Sequence, residues 1–355
     1  MNILILLNTE DAFEYIESML NKLAYNIIGI CSNKKYNNYI NYSLDNINNL
    51  NYDIIISDLK LIYITDIINK YQLKNIYDMY WLLKQLLIKK YENCNDQEIL
   101  NILEYWKTND ISTFNQYINS NTFNEVYTNE SLPYIIYKIN NKYRKIYYPK
   151  DYDKFIYYND KYWIHNFLTE QLPTSPHLYI TKRHKVNKND IIIDAGVCEG
   201  NFAIKYVDIC SKLYLIESDE MWIEPLKLTF KNYSKKIELI NKFLSNKDEN
   251  NNITIDNIFF NIKDKNIFLK MDIEGTEPLA LLGAKNTLMN NKVNASICTY
   301  HNENDLIIIK SILEQYNFHF STSKGYMLFL SDINIFKTLD FRKGILYASN
   351  YLNSN

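Results

Sequence analysis

Glycine is scarce in this sequence, so the positions of the few glycines are informative. The 355 residues include 7 glycines, whereas an average usage of about 7% would give about 25. The chain is also rich in asparagine, isoleucine, lysine and tyrosine, which indicates an A/T-rich genome. In so depleted a chain, we expect a glycine where the backbone needs its conformational freedom. Gly196 and Gly200 lie close together and mark one such place.

Paired cysteines, long apolar runs and an excess of one charge are also missing, and each absence excludes a class of protein. The 5 cysteines are scattered without C-x-x-C spacing, which favours reduced thiols over a zinc site or a disulfide framework. No run approaches the about 18 apolar residues of a membrane span, and no basic signal region opens the chain. A net charge of −2 argues against a nucleic-acid partner. The sequence therefore predicts a cytoplasmic protein without a membrane span.

Alternating patterns predict three regions in a chain long enough for two or three domains. Residues 1–93 alternate apolar runs with helical periodicity, which predicts a small Rossmann-like α/β domain. Residues 94–180 predict a packed connector of helices and a β-hairpin. Residues 181–355 alternate more strongly and predict a larger, doubly wound α/β domain that ends in a hairpin. Ligands of such sheets bind at the carboxyl ends of the strands.

Several elements are predicted with definite bounds. The expected elements are helices over 97–107, 110–119, 160–171 and 277–290, a hairpin of strands 133–138 and 143–148, a strand over 237–244, and two short strands within 318–331 around Gly325. In the first domain, the first strand runs into Asn8 and Thr9 with no glycine. The dinucleotide fingerprint is thus absent, and this domain is a scaffold or, alternatively, a ligand site.

Residues 191–202, IIIDAGVCEGNF, predict a strand, a glycine turn and the start of a helix. Asp194 precedes the first glycine by two positions, where a carboxylate would repel a pyrophosphate. It suits a cationic ligand with an ammonium group, such as the methionine part of S-adenosylmethionine. Glu217 follows the next predicted strand, at the place where nucleoside-binding α/β folds hold ribose hydroxyls. The alternative is an ordinary βα turn without a ligand.

Two further strand ends carry groups that can move protons. The strand over 267–272 delivers Asp272 and Glu274 to the same edge, which suits a general base, a metal or simple helix capping. The next strand ends in His301, beside the place expected for Asp272, so His301 is a candidate proton acceptor. His177 precedes the domain and is expected to be structural, although it could border the site.

Taken together, these motifs resemble the FkbM-type family of S-adenosylmethionine-dependent methyltransferases over about residues 175–348. The matching pieces are Asp194-Ala195-Gly196, Glu199-Gly200-Asn201-Phe202, Glu217, Thr254-Ile255-Asp256, the run from Lys270 to Gly275, Leu282-Gly283-Ala284, the run from Cys298 to His301, and the tail 341–347. The resemblance implies a seven-stranded Rossmann-like fold, a methyl-donor cofactor and O-methylation of a sugar, nucleotide sugar or polysaccharide. Cys198 departs from the wider methyltransferase motif, which has a glycine there.

The resemblance also implies roles for individual side chains. The methionine part of the cofactor is expected against Asp194, Gly196, Glu199 and Gly200, the ribose against Glu217, and the adenine against Phe243 to Ser245. Further expected cofactor-binding residues are Asn201, Phe202, Ser218, Leu244 and Asp272. His301 is the expected base, oriented by Asp272 or sharing the role with it, and Glu274 completes the catalytic set. A divalent metal on Asp272, Glu274 and His301 is left open, because the spacing does not require one.

Other functions compete with this interpretation. A non-catalytic scaffold with a vestigial methyltransferase fold would fit Cys198 and the unmatched residues 1–93. A phosphoryl acceptor on a glycan is a second alternative, and a homodimer is an expectation without a specific motif. An NAD-dependent oxidoreductase is disfavoured because neither α/β region has the glycine fingerprint.

Overall fold

The computed structural model describes residues 1–9, 12–113, 126–139, 141–150 and 170–351. The chain divides into two compact units, residues 1–115 with 328–341, and residues 116–327 with 342–355. The first unit therefore extends past the predicted limit at residue 93 and includes a late segment of the chain. The helices predicted over 110–119 and 160–171 fall partly or almost wholly outside the described residues.

The first unit is built on a parallel five-stranded sheet, as the alternating pattern predicts. The strands are Asn2–Leu6 (β1), Asn26–Cys31 (β2), Asn41–Tyr42 (β3), Ile54–Ser57 (β4) and Ile76–Asp78 (β5), in the order β3-β2-β1-β4-β5. The helices are Phe13–Lys22 (α1), Thr65–Tyr71 (α2), Met79–Tyr91 (α3), Gln97–Tyr105 (α4) and the late helix Ile335–Thr338, with 3-10 turns at Leu44–Asn49 and Leu61–Ile64. Phe336 of the late helix is buried and contacts the rings of Tyr15 and Tyr80.

The carboxyl ends of β1 and β4 meet where ligands bind in sheets of this kind. Here the carboxylate of Asp58 accepts hydrogen bonds from the backbone amides of Asn8, at 3.0 Å, and Thr9, at 2.7 Å. The Asp58 carboxylate thus occupies backbone amides at the position where the phosphates of a dinucleotide would accept hydrogen bonds. This agrees with the missing glycine fingerprint and favours a scaffold role for the first unit.

The second unit contains a small antiparallel sheet and a large mixed sheet. The small sheet has strands Val126–Tyr127 (β6), Tyr134–Ile139 (β7) and Lys142–Tyr147 (β8), in the order β6-β7-β8. The predicted hairpin is thereby confirmed. Asn141 in its turn has φ +61°, as tight hairpin turns require.

The large sheet has the order β11-β10-β9-β14-β15-β17-β16, and only β17 runs antiparallel to its neighbours. Its strands are Ile191–Ala195 (β9), Lys212–Ile216 (β10), Ile237–Ile240 (β11), Asn266–Met271 (β14), Lys292–Cys298 (β15), His319–Thr322 (β16) and Ile345–Ser349 (β17), and a separate pair is Phe243–Leu244 (β12) with Asn252–Ile253 (β13). The central strands β9, β14 and β15 are almost wholly buried, as apolar runs in a parallel sheet should be. The predicted Rossmann-like, seven-stranded fold class is confirmed.

Short helices cover this sheet. They are Asn201–Tyr206 (α5), Ile223–Thr229 (α6), Ile255–Ile258 (α7), Glu277–Leu282 (α8), Lys285–Asn290 (α9) and Asp305–Glu314 (α10), with 3-10 turns at Glu220–Trp222 and Lys231–Tyr233. Within the described ranges, no helix has the length and apolar character that crossing a membrane requires.

Three predicted elements are wrong in detail. The strand predicted over 237–244 is divided into β11, in the large sheet, and β12, which pairs with β13. The hairpin predicted within 318–331 does not form, because β16 pairs with the distant apolar run β17, while Met327 makes one bridge to Arg342. The helix predicted over 277–290 is broken between α8 and α9. Gly283 lies at this break, where a Cβ would be 2.1 Å from the carbonyl oxygen of Ser245, so the close backbone contact requires a glycine.

An extended segment before the domain, residues 175–184, is fixed against β15 and β17. Ser296 donates a hydrogen bond to the carbonyl of Tyr179 at 2.7 Å, and the Tyr347 hydroxyl donates to the carbonyl of Leu178. The ring of His184 packs on Phe268 and Tyr347. The segment therefore holds its side chains over the sheet in fixed positions.

The burial of His184 predicts a pH-dependent stability. Burial lowers the pKa of His184 to about 4, so the unfolded chain binds one more proton between about pH 6.5 and 4. Because of this histidine, the free energy of unfolding should fall by about 3 kcal/mol as the pH decreases from about 6.5 to 4. Urea denaturation of wild type and His184→Phe at pH 7 and pH 4 measures it. Equal losses in both proteins would contradict the prediction.

Candidate functional site

The glycine turn after β9 brings two backbone segments into close contact. Gly196 has φ +71°, and a Cβ there would lie 1.7 Å from the carbonyl oxygen of Asp272. Gly200 has φ +81° and precedes α5. Both conformations favour glycine. The turn therefore sets the carboxyl end of β9 directly against that of β14.

Glu217 is buried after β10 and held by the same turn. Its Oε2 accepts from the backbone amide of Cys198 and its Oε1 from that of Asp219, both at 2.9 Å. Cys198 has φ +51°, a left-handed conformation that costs a non-glycine residue about 1–2 kcal/mol. Cysteine thus adopts the backbone that the glycine of the wider motif would provide, and the turn keeps its shape.

Asp194 forms an ion pair that the sequence did not predict. Its Oδ1 lies 3.1 Å from the ammonium of Lys270, and both side chains are almost fully buried. Burial raises the pKa of Asp194 to about 6 despite the lysine. Burial acts in the opposite direction on Lys270, but the carboxylates of Asp194 and Asp272 outweigh it and raise the pKa of the lysine. The lysine also donates to the carbonyl of Gly196.

Glu199 is a buried carboxyl group inside the turn. Its side chain belongs to a residue only 3% exposed, and Oε2 has no hydrogen-bond partner among the residues that the structure describes. Burial raises the pKa of Glu199 to about 7. A buried polar atom without a partner is costly and indicates a ligand or water.

Asp272 follows β14 and lies at the centre of the site. Its Oδ2 accepts a 2.6 Å hydrogen bond from the hydroxyl of Tyr179 and lies 3.3 Å from Nε2 of His177. Its Oδ1 lies 3.4 Å from both the Tyr300 hydroxyl and Nε2 of His301. The two carboxylate oxygens therefore face two different groups of side chains.

These neighbours keep Asp272 charged. Burial alone would raise the pKa of its carboxyl group, but the hydrogen bond with His177 and the charges of Lys270 and His301 outweigh burial. The pKa is held well below the usual value. Asp272 is therefore an anion throughout the physiological range.

His301 follows β15 and contacts three carboxylates. Its Nδ1 lies 3.1 Å from the buried Glu277, and its Nε2 lies 3.4 Å from Asp272 and 3.6 Å from Glu274. Burial lowers the pKa of the imidazole, but the bond with Glu277 and the carboxylate charges outweigh it and raise the pKa to about 9. Arg342 fixes the backbone here by donating to the carbonyls of Tyr300 and His301, both at 2.9 Å.

Glu274 carries the only exposed carboxylate of this group within the described residues. Its side chain is 84% exposed, and its backbone has φ +55°, next to Gly275 at φ +92°. Left-handed glutamate is uncommon and often marks a functional turn. The turn places a carboxylate at the entrance to the histidine.

Most of the predicted residues converge on one edge of the sheet. Asp194, Gly196, Glu199, Gly200, Glu217, Asp272, Glu274 and His301 lie at or just after the ends of β9, β10, β14 and β15. Ser218 follows Glu217, and its carbonyl accepts from Asn241. Asn201 begins α5, while Phe202 packs among aromatic rings and Leu244 lies in the core. Phe243 is 52% exposed on β12.

Sequence reasoning missed several residues of the site. They are Lys270, Tyr179, Tyr300 and Cys298, and His177 was expected to be structural. A lysine within the apolar run of β14 was a usable signal, because a buried charge requires a partner. The tyrosines gave no such signal in a chain with 32 of them.

Asp272, Glu277 and His301 each offer one possible metal-ligand atom within 4.8 Å of the others, which is a different set from the predicted one. Glu274 lies 3.6 Å from Nε2 of His301, and the set of Asp272, Glu274 and His301 stays a prediction. Such an ion would compete with the proton that the same carboxylates hold on His301.

Replacement of Gly196 should show how tightly this turn is packed. Gly196→Ala places a Cβ against the Asp272 carbonyl, whereas Gly325 has a similar φ of +77° and open space, 3.7 Å from Pro176. We expect Gly325→Ala to cost about 1–2 kcal/mol for the left-handed backbone alone. Gly196→Ala should cost about 1–3 kcal/mol more because of the clash. Urea denaturation compares them, and equal costs would contradict the geometry.

Of three comparisons with known proteins, the one with solved structures found similar chains. No family model and no curated protein matches the chain. Among solved structures, the chain is similar to methyltransferase FkbM from Methylobacillus flagellatus KT, with 14% identity and a TM-score of 0.44 over 98% of this chain and 89% of that chain. A SAM-dependent methyltransferase from Aquifex aeolicus matches with 12% identity and a TM-score of 0.31, over 47% and 85%. A Streptococcus mutans protein in complex with SAH matches with 14% identity and a TM-score of 0.32, over 46% and 90%.

Proposed function

We propose that the second unit binds S-adenosylmethionine and transfers its methyl group to a hydroxyl oxygen. The observation that carries this proposal is the buried Glu217 carboxylate. The amides of Cys198 and Asp219 hold it beside a glycine turn, at the edge that also bears Asp272 and His301. A carboxylate that can accept hydrogen bonds from a nucleoside thus lies at the same edge as Asp272 and His301, which can accept or donate protons.

Glu217 has the capacity to bind a ribose. A carboxylate offers about four lone-pair positions, and the two amides use one on each oxygen. The remaining positions can accept the two ribose hydroxyls. The backbone bonds fix the carboxylate before the ligand arrives, which lowers the entropic cost of binding.

The methionine part of the cofactor carries an ammonium group and a sulfonium charge. Asp194 and Glu199 both have buried carboxylate oxygens without a hydrogen-bond partner among the described residues. Asp194 already forms an ion pair with Lys270, so we assign the ammonium to Glu199. Binding a cation there would lower the raised pKa of Glu199 and satisfy a buried oxygen. The roles of Asn201, Phe202, Ser218, Phe243 and Leu244 stay predictions from the resemblance.

Methyl transfer is an in-line displacement on an activated sulfonium, so the main task is alignment. A hydroxyl nucleophile must also lose its proton, and His301 is the proposed acceptor, with Asp272 orienting it. Because the pKa of His301 is about 9, a base at this position works best above neutral pH. The exposed Glu274, 3.6 Å from Nε2, can pass the proton on to water.

We infer that the acceptor is a sugar hydroxyl, as the family resemblance implies. The entrance presents the exposed carboxylate of Glu274 near that of Asp272. Hydroxyl groups of a neutral polyol can donate hydrogen bonds to such groups, whereas a phosphoryl acceptor would meet like charge. The homodimer and the cytoplasmic location stay predictions from the sequence.

Calorimetric titration tests the cofactor. We expect micromolar binding of S-adenosylmethionine and S-adenosylhomocysteine, and none of NADPH. Glu217→Ala should weaken binding by about 1.5–3 kcal/mol, or roughly 10–100-fold, because it removes charged hydrogen-bond acceptors.

Glu220→Ala is the matched control, since Glu220 is an exposed glutamate three residues later, and it should bind like wild type. Absence of binding to the wild-type protein would contradict the methyltransferase proposal and favour the scaffold alternative.

Replacement of the histidine tests the chemistry. His301→Gln should bind S-adenosylmethionine normally but lose about 10²–10⁴-fold in the rate of methyl transfer to a sugar acceptor, the usual contribution of a general base. Transfer of a radiolabelled methyl group to glycans of varied composition measures the rate. Full turnover in the variant would remove His301 from the mechanism.

Loss of wild-type activity in EDTA, restored by Mg²⁺ or Mn²⁺, would support the metal-assisted form.

A further inference from the structure

Four hetero atoms surround one ring nitrogen of His177. Nε2 lies 3.2 Å from the Tyr300 hydroxyl, 3.3 Å from both the Tyr179 hydroxyl and Oδ2 of Asp272, and 3.5 Å from Sγ of Cys298. His177 and Cys298 are almost fully buried. Donors of nitrogen, sulfur and oxygen type therefore converge on a small volume at the end of β15.

Hydrogen bonding accounts for only part of this arrangement. A neutral imidazole nitrogen has either one hydrogen or one lone pair, yet four groups lie around it. The three distances to oxygen atoms, 3.2–3.3 Å, sit at or just above the upper limit of the usual range of N–H···O bonds. A cation among these atoms could interact with several of them at once.

We propose that His177, Cys298 and Asp272 form a binding site for a divalent transition-metal ion of the zinc type. Imidazole, thiolate and carboxylate are the donors that such ions prefer. In a tetrahedral site with bonds of about 2.0–2.3 Å, ligand atoms lie roughly 3.3–3.6 Å apart. Nε2 lies 3.3 Å from Oδ2 and 3.5 Å from Sγ, and all three ligand atoms lie within 4.8 Å of one another.

Neighbouring side chains lie where they can hold these three ligands in place. Glu170 Oε2 lies 3.5 Å from Nδ1 of His177, the position from which a carboxylate orients a metal-binding histidine. Tyr179 donates to Asp272 at 2.6 Å, and the 175–184 segment is fixed by Ser296. The side chain of Asp272 is 17% exposed, which gives an ion a path of entry.

Binding of the ion requires a deprotonated thiol. A thiol gives up its proton when it coordinates a metal ion. The S–H bond then breaks, a sulfur–metal bond forms, and one proton leaves to solvent. Uptake should therefore be tighter at higher pH.

This site is distinct from the predicted ligand set of Asp272, Glu274 and His301, and does not depend on the proposed function. His177 faces Oδ2 of Asp272, whereas His301 faces Oδ1. Only the site proposed here contains sulfur. A thiolate-to-metal absorption band therefore distinguishes the site proposed here from the predicted one. Titration with S-adenosylmethionine measures metal binding at neither site.

Cobalt titration of the full-length protein, after treatment with a chelator, tests the proposal. We expect about one Co²⁺ per chain and a near-ultraviolet thiolate-to-metal charge-transfer band. The band should be lost in Cys298→Ser and in His177→Gln, and binding should weaken at least tenfold. Cys210→Ser is the matched control, because Cys210 is also a buried cysteine of the second unit, and it should keep the band.

Zinc competition provides a second measurement on the wild-type protein. Zn²⁺ should displace Co²⁺, abolish the band and raise the unfolding temperature, as any ligand of the native state does. Absence of Co²⁺ uptake, uptake without a thiolate band, or a band that persists in Cys298→Ser would each overturn the proposal. Circular dichroism of both variants confirms that any loss comes from a folded protein.

Discussion

The ammonium of Lys270 is the charge on which the rest of the site depends. It lies within the sheet, 3.1 Å from Asp194, and it also contributes to holding Asp272 ionised. Burying an ion costs several kcal/mol unless it is paired, so the carboxylates at the ends of β9 and β14 require this lysine and it requires them. Because the lysine also donates to the Gly196 carbonyl, the same contact fixes the charge balance and the path of the turn.

The two halves of the site meet through backbone as well as charge. Gly196 lies against the carbonyl of Asp272 with no room for a side chain. The glycine turn and Asp272 therefore cannot move independently, since closely packed protein interiors deform little. Asp272 in turn separates two groups of side chains, one on each carboxylate oxygen. A change in charge among the side chains near one oxygen of Asp272 therefore alters the electrostatic environment of those near the other oxygen.

The sequence predicted the large sheet and the carboxylates at its edge, because strand ends in a parallel sheet share one side. Asp194, Glu217, Asp272 and His301 followed from this rule and from the family motifs. The partners Tyr179 and His177 did not, because they reach the site through tertiary contacts of a segment without a regular pattern. Similarly, 22 residues separate β16 from β17. Hairpin rules apply to strands joined by short loops, so they could not predict this pairing.

The discontinuous path of the chain has a consequence for biosynthesis. Residues 328–341 belong to the first unit, whereas most of that unit precedes residue 116. On the ribosome, the amino-terminal sheet must wait until nearly all of the second unit has been synthesised before Phe336 can fill its place against Tyr15 and Tyr80. Domains usually fold as units in the order of synthesis. Here the unit that emerges first is completed only after most of the second unit has been synthesised, so Tyr15 and Tyr80 lack this contact until late in translation.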